Sequence, residues 1–460
     1  MENARSDAGF AAVPDRRPAA LPQSDVSAWV GIVGALGLIV WIIFCRNYAA
    51  IAEFFDISGP RAAMSGPHAA LAAVGFSAGP MAAWSLLVDK VHRRPSTGIN
   101  WDAPRSWGAD RSVSFIKLAG LWSTWVILAG LYCLGRWYWQ GQYLFAMDVL
   151  AYAAIPLAVL SVPYVFWLDR VMVGPRDHAW HFGAMLLGRN GWNAGEVKRH
   201  WRAWIIKGFF GAFMISILPG GFAEVVNADF TGIMADPVRI AYFLIGFLFV
   251  VDVQIGTVGY LVTMRPLDAH IRSGNPFLAG WVAAFICYPP VVFTFMGGTG
   301  VLAYEVNTAG WAYWLEGHSA VLWIWAAMLV TLTAIYAWAT MAFGLRFSNL
   351  TYRGVLTNGP YRFSRHPAYL SKNLFWWLST MPFLVTSGSM VDMVRNSFFL
   401  GCVSAIYFWR AKTEEAHLLR EDAKYREYHS WMERNGLITA PLMAIGRQFW
   451  SRHPEANLAR

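Results

Sequence analysis

Long apolar windows recur along this chain and alternate with shorter polar segments. Ten of them approach 20 residues, the length that crosses a bilayer as a helix. They are residues 28–45, 69–88, 113–135, 145–168, 203–222, 239–263, 278–296, 320–343, 368–387 and 394–410. Several contain Pro or Gly, so we expect kinks or short breaks in those helices. The pattern predicts an all-α, polytopic helical membrane protein with about ten transmembrane helices.

The composition supports a membrane protein over a soluble one. Hydrophobic residues make up 56% of the chain and charged residues only 14%, whereas soluble domains carry about 25% charged residues. The 25 tryptophans are typical of the aromatic belts at membrane interfaces. The net charge of +9 does not indicate nucleic-acid binding, because the cations fall in loops between the apolar windows.

The loops differ in charge in a regular way. Those at 89–112, 169–202, 264–277 and 344–367 are rich in Lys and Arg, while 223–238 and 297–319 are acidic. The positive-inside rule then places both termini and the cationic loops in the cytoplasm. We therefore expect an integral protein of a bacterial inner membrane, in contact with membrane lipids.

The chain divides into four parts by composition. Residues 1–27 are polar and predicted to be a disordered cytoplasmic tail. Residues 28–319 form a transmembrane bundle of unknown role, 320–440 form a core that carries the motifs described next, and 441–460 form a C-terminal tail. The four cysteines stand singly, which favours neither a zinc site nor a disulfide framework.

The segment Gly359–Leu370, GPYRFSRHPAYL, concentrates cationic and aromatic residues between two apolar windows. Gly359-Pro360 is a turn signal, and Pro367 fits the first turn of the next helix. Arg365 and His366 would then lie at a helix N-terminus, which favours anions. The segment predicts a site for a carboxylate or a phosphate.

A second polar cluster follows the last apolar window. It comprises Arg410, Lys412, Glu414, Glu415, His417, Tyr425 and Tyr428. The two windows between the clusters predict a helical hairpin, which would bring both clusters to the same membrane face. The carboxylates of Glu414 and Glu415 suit a cationic group or a ribose diol. Tyr425 and Tyr428, three residues apart, would share one helix face.

These residues, in this order, resemble the isoprenylcysteine carboxyl methyltransferase family and its phosphatidylethanolamine N-methyltransferase relatives. The matching elements are the Gly-Pro-Tyr turn at 359–361, the Arg-His-Pro-x-Tyr helix start at 365–369, the Glu414-Glu415 pair and the Tyr-x-x-Tyr tail at 425–428. The resemblance covers about residues 340–432. It implies S-adenosylmethionine as cofactor, bound beneath the C-terminal tail. It also implies a lipophilic small-molecule or lipid-anchored acceptor that enters from the bilayer.

The expected roles follow from the resemblance and from side-chain chemistry. The expected cofactor-binding residues are Gly359, Pro360, Tyr361, Arg365, His366, Pro367, Tyr369, Glu414, Glu415, Tyr425 and Tyr428, and the expected catalytic residues among them are Arg365, His366 and Glu415. Arg365 and His366 suit the cofactor's carboxylate. Tyrosine rings suit its adenine, or its sulfonium through cation–π attraction of about 0.5–2 kcal/mol. We expect O-methylation of a carboxylate, which needs no general base, whereas an amine would need deprotonation.

The chain departs from the family pattern at Ser371, where Gly is common, at 422–424, where a Phe-Gly pair is common, and by about six additional spans. An NADPH-dependent membrane sterol or enone reductase is the alternative enzyme, since those proteins share an Arg-His helix start. Pro367 and the Glu pair favour the methyltransferase. A non-catalytic transporter or lipid-binding protein is the third possibility. Arg362 fits a topology determinant, and Tyr361 and Tyr369 also fit interface anchors.

Two groups of polar residues in the N-terminal bundle are candidates for a functional site. His178 and His181 have the spacing of metal ligands on one helix face, with His200 downstream. A single such box is weak, and we expect no metal site. Asp252 falls within an apolar window. A buried acid of this kind serves a functional site or pairs with a neighbouring helix.

Overall fold

The computed structural model describes residues 20–109, 111–234, 236–437 and 439–441. The predicted tails therefore lie largely outside the described residues. In the described part, the helices of the first half are α1 Ala28–Arg46, α2 Tyr48–Phe54, α3 Pro67–Leu87, α4 Arg111–Leu134, α5 Tyr143–Val171, α6 His178–Leu186, α7 Ala194–Val226 and α8 Phe230–Ile233. Those of the second half are α9 Pro237–Leu261, α10 Leu278–Phe285, α11 Val291–Phe295, α12 Trp311–Trp314, α13 Ser319–Phe343, α14 Pro367–Thr380, α15 Met390–Glu421 and α16 Ala423–Asn435.

Seven of these helices are long and apolar enough to cross a membrane, counted over the described residues. They are α1, α3, α4, α5, α7, α9 and α13. On α5, Tyr152 and Ile155 are each more than three-quarters exposed, as expected for side chains that face lipid rather than water. The prediction of an all-α, polytopic membrane protein is confirmed, with seven such helices rather than ten.

The three other predicted windows are helical but shorter or more polar. Window 278–296 is split into α10 and α11 by Pro289 and Pro290, which lack the N–H donors that a continuous helix needs. Window 368–387 contains α14, which has only 14 residues and carries Lys372. Window 394–410 lies within α15, whose last turns are rich in charge.

Helices α9 and α13 run in the same direction. Near their first halves, Ala241 and Ile245 of α9 share a cluster with Ala326 and Leu329 of α13. At the other end, Gly259 approaches the segment after α13 so closely that a Cβ there would lie 2.2 Å from the Phe347 carbonyl oxygen. The chain between the two helices must therefore return along the bundle, through α10, α11 and α12. We call the end where α9 and α13 finish the site end.

The N-terminal bundle and the C-terminal core share one hydrophobic cluster. Leu38 of α1, Met81 of α3 and Ile255 of α9 are buried in the same cluster as Leu345 and Leu356. The predicted boundary near residue 319 thus divides the chain by composition, but it does not separate two cores. The bundle supports the walls of the C-terminal core.

The last residues before α1 are ordered against the C-terminal part of the chain. The Asp25 carboxylate lies 2.6 Å from Lys424 Nζ and accepts a hydrogen bond from the Val355 N–H. The Thr357 hydroxyl donates to the Pro22 carbonyl. A short antiparallel pair joins the two parts of the chain, β1 Ser273–Gly274 before α10 and β2 Thr351–Tyr352 after α13. The part of the predicted tail from residue 20 onward is therefore packed, contrary to the prediction of disorder.

Candidate active site

A cavity lies at the site end, between α13, α14, α15 and α16. The volume open to water centres is about 160 Å³, more than ten times the roughly 10–15 Å³ that one water needs. The cavity can therefore take a ligand of many atoms. Seven predicted cofactor residues line it, namely Tyr361, Arg365, His366, Tyr369, Glu414, Tyr425 and Tyr428. Further lining residues include Tyr288, Tyr336, Asn349, Lys372, Tyr407 and Arg410.

The other predicted cofactor residues shape the cavity from behind its surface. Gly359 has a positive φ of 55°, and a Cβ there would come within 3.0 Å of Trp338 Nε1, so glycine is needed on both counts. Pro360 is buried in the 3-10 turn Gly359–Arg362. Pro367 is the first residue of α14 and His366 its N-cap, as the sequence predicts.

Glu415 joins the two predicted clusters across the α14–α15 hairpin. Its Oε1 lies 2.9 Å from both Arg365 Nε and His366 Nε2, and its Oε2 lies 2.7 Å from Lys412 Nζ. Burial acts to raise the pKa of this carboxyl, but the hydrogen bonds from His366 and Lys412 and the electrostatic attraction of His366 and Arg365 outweigh burial. They lower the pKa to about 2. Glu415 is therefore ionised, and both of its carboxylate oxygens contact nitrogen donors of the protein.

Glu414 points in a different direction from its neighbour and lines the cavity. It accepts a hydrogen bond from the Tyr369 hydroxyl and lies 3.3 Å from Arg410 Nε. Arg410 in turn donates to Asn349 Oδ1 over 2.6 Å, and its guanidinium lies over the rings of Tyr288 and Tyr369. This network places a carboxylate and aromatic faces together on one wall.

Arg365 has donors that no described residue satisfies. Its side chain is only 9% exposed, yet Nη1 has no partner, and Nε is not aligned for a hydrogen bond with Glu415 despite the short distance. An unsatisfied buried donor costs about 1–3 kcal/mol, and more when the group is charged. Because Arg365 lines the cavity, its guanidinium is a group in the wall that a ligand's acceptor could satisfy.

Helix α16 covers the cavity through one face. Tyr425 and Tyr428 are both buried, with ring centroids 5.7 Å apart, as their spacing predicts. The Tyr428 hydroxyl donates to the Tyr361 carbonyl over 2.6 Å, which fixes α16 to the turn before α14. Burial raises the pKa of Tyr428, so its hydroxyl stays protonated and remains a donor.

Several residues that line the cavity are not among the predicted cofactor-binding residues. Tyr336 and Tyr407 lie in apolar windows, and Tyr288 comes from the broken segment between α10 and α11, so no local motif marks them. Lys372 does carry a signal, because it is the lone cation in the predicted window 368–387, and a charge in such a window indicates a functional site.

The polar candidates of the N-terminal bundle form separate contacts. His178 Nδ1 lies 3.1 Å from His200 Nδ1, while His181 accepts a hydrogen bond from the Asn193 N–H. Over the residues that can be placed, there is no group of three or more His, Cys, Asp or Glu side chains suited to a metal ion. Asp252 accepts a hydrogen bond from Thr340 of α13, so it pairs with a neighbouring helix.

Comparisons of this chain with family models, with curated proteins and with solved structures find no match. The chemistry of the cavity therefore rests on its own residues and their geometry.

Acidification is expected to destabilise the protein through Glu415. The pKa of this carboxyl is near 4.5 without its partners and about 2 in the fold, so its contribution is complete above about pH 4.5 and is lost as the pH falls towards 2. The unfolding midpoint of Glu415→Gln should therefore lie below that of the wild type at pH 7, and the difference should shrink in acid. Glu427→Gln, at an exposed position of α16, is the matched control. A difference that stays constant with pH would contradict this role of Glu415.

Proposed function

We propose that this protein is an integral membrane methyltransferase that uses S-adenosylmethionine and acts on a lipophilic acceptor, with its cofactor site on the cytoplasmic face of a bacterial inner membrane. The observation that carries the proposal is the buried Arg365 guanidinium, which has unpaired donors and lines a cavity that also presents a carboxylate and several aromatic rings. These groups complement a ligand with one carboxylate, one cationic centre and one aromatic base.

The residues of the cavity fit this cofactor group by group. Arg365 would bind the carboxylate through Nη1, since a charge-assisted hydrogen bond is stronger than a neutral one. Tyr369 and Glu414 would surround the cationic sulfur with a ring face and a negative charge. Tyr425 and Tyr428 would offer rings and hydroxyls beneath α16. When bound, the cofactor supplies an electrophilic methyl group.

Positioning and exclusion of water are the contributions that this chain makes to the reaction. Glu415 holds Arg365 and His366 in place, and the Tyr428–Tyr361 hydrogen bond keeps α16 closed over the cavity. His366 Nε2 lies 2.9 Å from the ionised Glu415 carboxylate. That nitrogen therefore donates its hydrogen to Glu415, and it does not take a proton from the methyl acceptor. A carboxylate acceptor needs no general base, and the site accordingly favours O-methylation of a carboxylate.

Ligand-induced stabilisation tests the proposal. We expect S-adenosylmethionine to raise the unfolding midpoint of the purified protein in detergent, because a ligand at 100 times its Kd stabilises the folded state by about 2.7 kcal/mol. S-adenosylhomocysteine should also stabilise it, since it retains the carboxylate and the adenine. NADPH, titrated in parallel, should produce no shift.

The other outcomes discriminate between the alternatives. Stabilisation by NADPH alone would overturn the methyltransferase in favour of a reductase. No shift with either cofactor would favour a transporter or a lipid-binding protein. Transfer of a labelled methyl group from S-adenosylmethionine into the organic-soluble fraction of a membrane lipid extract would then establish the activity itself.

A further inference from the structure

Lys372 lies in a box of aromatic rings within the cavity. Its Nζ is 5.6 Å from the ring centroid of Tyr336 on α13, 5.0 Å from that of Trp376 on α14 and 5.3 Å from that of Tyr407 on α15. Lys372 is five residues after the start of α14, which places its backbone about 7–8 Å further into the bundle than Pro367. The cavity thus has a second end, on the side away from Arg365.

The Lys372 ammonium forms no ion pair with a described residue, in contrast to Arg365 and Arg410 of the same cavity. Arg365 lies beside Glu415 and Arg410 beside Glu414, whereas no ion pair or hydrogen bond of the Lys372 side chain is found in the placed part of the chain. Asp252, on the neighbouring α9, attracts Lys372 electrostatically from beyond ion-pair distance, and it accepts its hydrogen bond from Thr340. A buried charge is costly without a partner, and ring faces compensate only in part, by about 0.5–2 kcal/mol.

Lipid reaches the helices on both sides of this box. Leu374, two residues after Lys372 on α14, and Trp338, two residues after Tyr336 on α13, are both more than two-fifths exposed. In a membrane-spanning bundle, exposed apolar side chains at this depth contact acyl chains. An amphiphile in the bilayer therefore lies next to the wall that holds Lys372.

We propose that Lys372 binds the carboxylate headgroup of an amphiphile that enters from the bilayer, while the rings of Tyr336, Trp376 and Tyr407 contact the first carbons of its chain. That this amphiphile is the methyl acceptor rests on the proposed function. The carboxylate supplies the direct ion-pair partner that none of the described residues provides, and Lys372 thereby selects acids against amines. A cationic headgroup would be repelled by Lys372 and by Arg410, which lines the same cavity.

Binding of labelled oleate to the purified protein in detergent, without any cofactor, tests this site. We expect the wild type to bind oleate and Lys372→Met to bind it at least about tenfold more weakly, because a hydrogen bond to a charged group is lost. Lys198→Met, at an exposed position at the start of α7, should retain wild-type affinity. Methyl oleate and oleylamine have the same chain but no negative charge, and they should compete poorly.

Equal affinity of Lys372→Met and the wild type for oleate, or competition by oleylamine as strong as by oleate, would overturn the proposal. Unfolding midpoints check that the variants fold. Without ligand, Lys372→Met should be at least as stable as the wild type, since it removes an unpaired buried charge. If it does not fold, Lys372→Gln provides the test, because it removes the charge but keeps a polar side chain, and it should bind oleate at least about tenfold more weakly than the wild type.

This assay is independent of the methyltransferase proposal. Oleate binding that depends on Lys372, in a protein that S-adenosylmethionine does not stabilise, would support the carboxylate site and refute the cofactor. Stabilisation by S-adenosylmethionine, with oleate binding that does not depend on Lys372, would refute the carboxylate site alone.

Discussion

Arg353→Met is expected to lower the free energy of unfolding by at least about 3 kcal/mol. If the free energy of unfolding of the wild type is not much larger than this, the variant will yield no folded protein. Arg353 is only 3% exposed, and it is not paired with a carboxylate. It donates instead to backbone carbonyls, namely those of Gly259, Val262, Ala269, Leu345 and Phe347. Methionine would leave these buried acceptors unsatisfied at the ends of α9 and α13. Monodisperse yield and the unfolding midpoint in detergent measure the effect.

Two further variants serve as comparisons for Arg353→Met. Arg93→Met removes a cation from an exposed position of the cationic loop before α4 and should leave the midpoint unchanged. Arg353→Lys keeps the charge, but one ammonium cannot present the planar fork of donors that reaches carbonyls from two helices, so it should recover only part of the loss. A wild-type midpoint in Arg353→Met would show that water replaces the guanidinium and that the ends of the helices do not depend on it.

The local chemistry of the sequence was enough to predict the helices that form the site. Pro367 marks the start of α14 because proline is favoured at the first position of a helix, and the apolar windows that follow have the lengths of a hairpin. That hairpin brings Arg365 and Glu415 into contact although they are 50 residues apart in sequence. The prediction succeeded where each step depended on neighbours along the chain.

The loop 344–367 shows where such reasoning fails. The positive-inside rule uses the arginines of this loop only to place it in the cytoplasm. Arg346 and Arg353 are buried, and Arg346 pairs with Asp268 while donating to the Arg353 carbonyl. The positive-inside rule depends only on the sign of the charge along the chain, whereas the partners of Arg353 lie up to 94 residues away. No nearby residue indicates them.

The adjacent acids Glu414 and Glu415 show a second limit. In sequence they form a pair, but successive residues of a helix point about 100° apart. Glu415 therefore contacts Arg365, while Glu414 contacts Tyr369 and Arg410 on the cavity wall. Their roles separate for this geometric reason, and only the fold shows which of the two can meet a ligand.

The N-terminal bundle supports the cavity. It supplies carbonyl partners of Arg353 at the end of α9, and the segment after α10 supplies Tyr288, which contacts Arg410. The residues before α1 fasten α16 through the Asp25–Lys424 pair. The additional spans are thus built into the walls and the cover of the site.

Arg365→Ala is expected to abolish the stabilisation that S-adenosylmethionine provides. The variant removes a buried guanidinium that has unpaired donors and lines the cavity. Each hydrogen bond to a charged group contributes about 1.5–3 kcal/mol, so the affinity should fall by about tenfold to more than a hundredfold. The folded protein without cofactor should survive the change, because His366 and Lys412 still neutralise Glu415. Unfolding midpoints across a titration with the cofactor measure both quantities.

Arg362→Ala is the matched control, since it removes an exposed arginine from the same turn and should bind the cofactor like the wild type. Glu415→Gln separates positioning from direct contact. It keeps the size of the side chain but withdraws the negative charge beside Arg365, so cofactor affinity should fall less than in Arg365→Ala while the stability without cofactor falls more. Wild-type affinity in Arg365→Ala would mean that the cofactor site lies elsewhere, even if the protein proves to be a methyltransferase. An equal loss of affinity in Arg362→Ala would instead point to the overall charge of the turn, because only Arg365 is buried against Glu415.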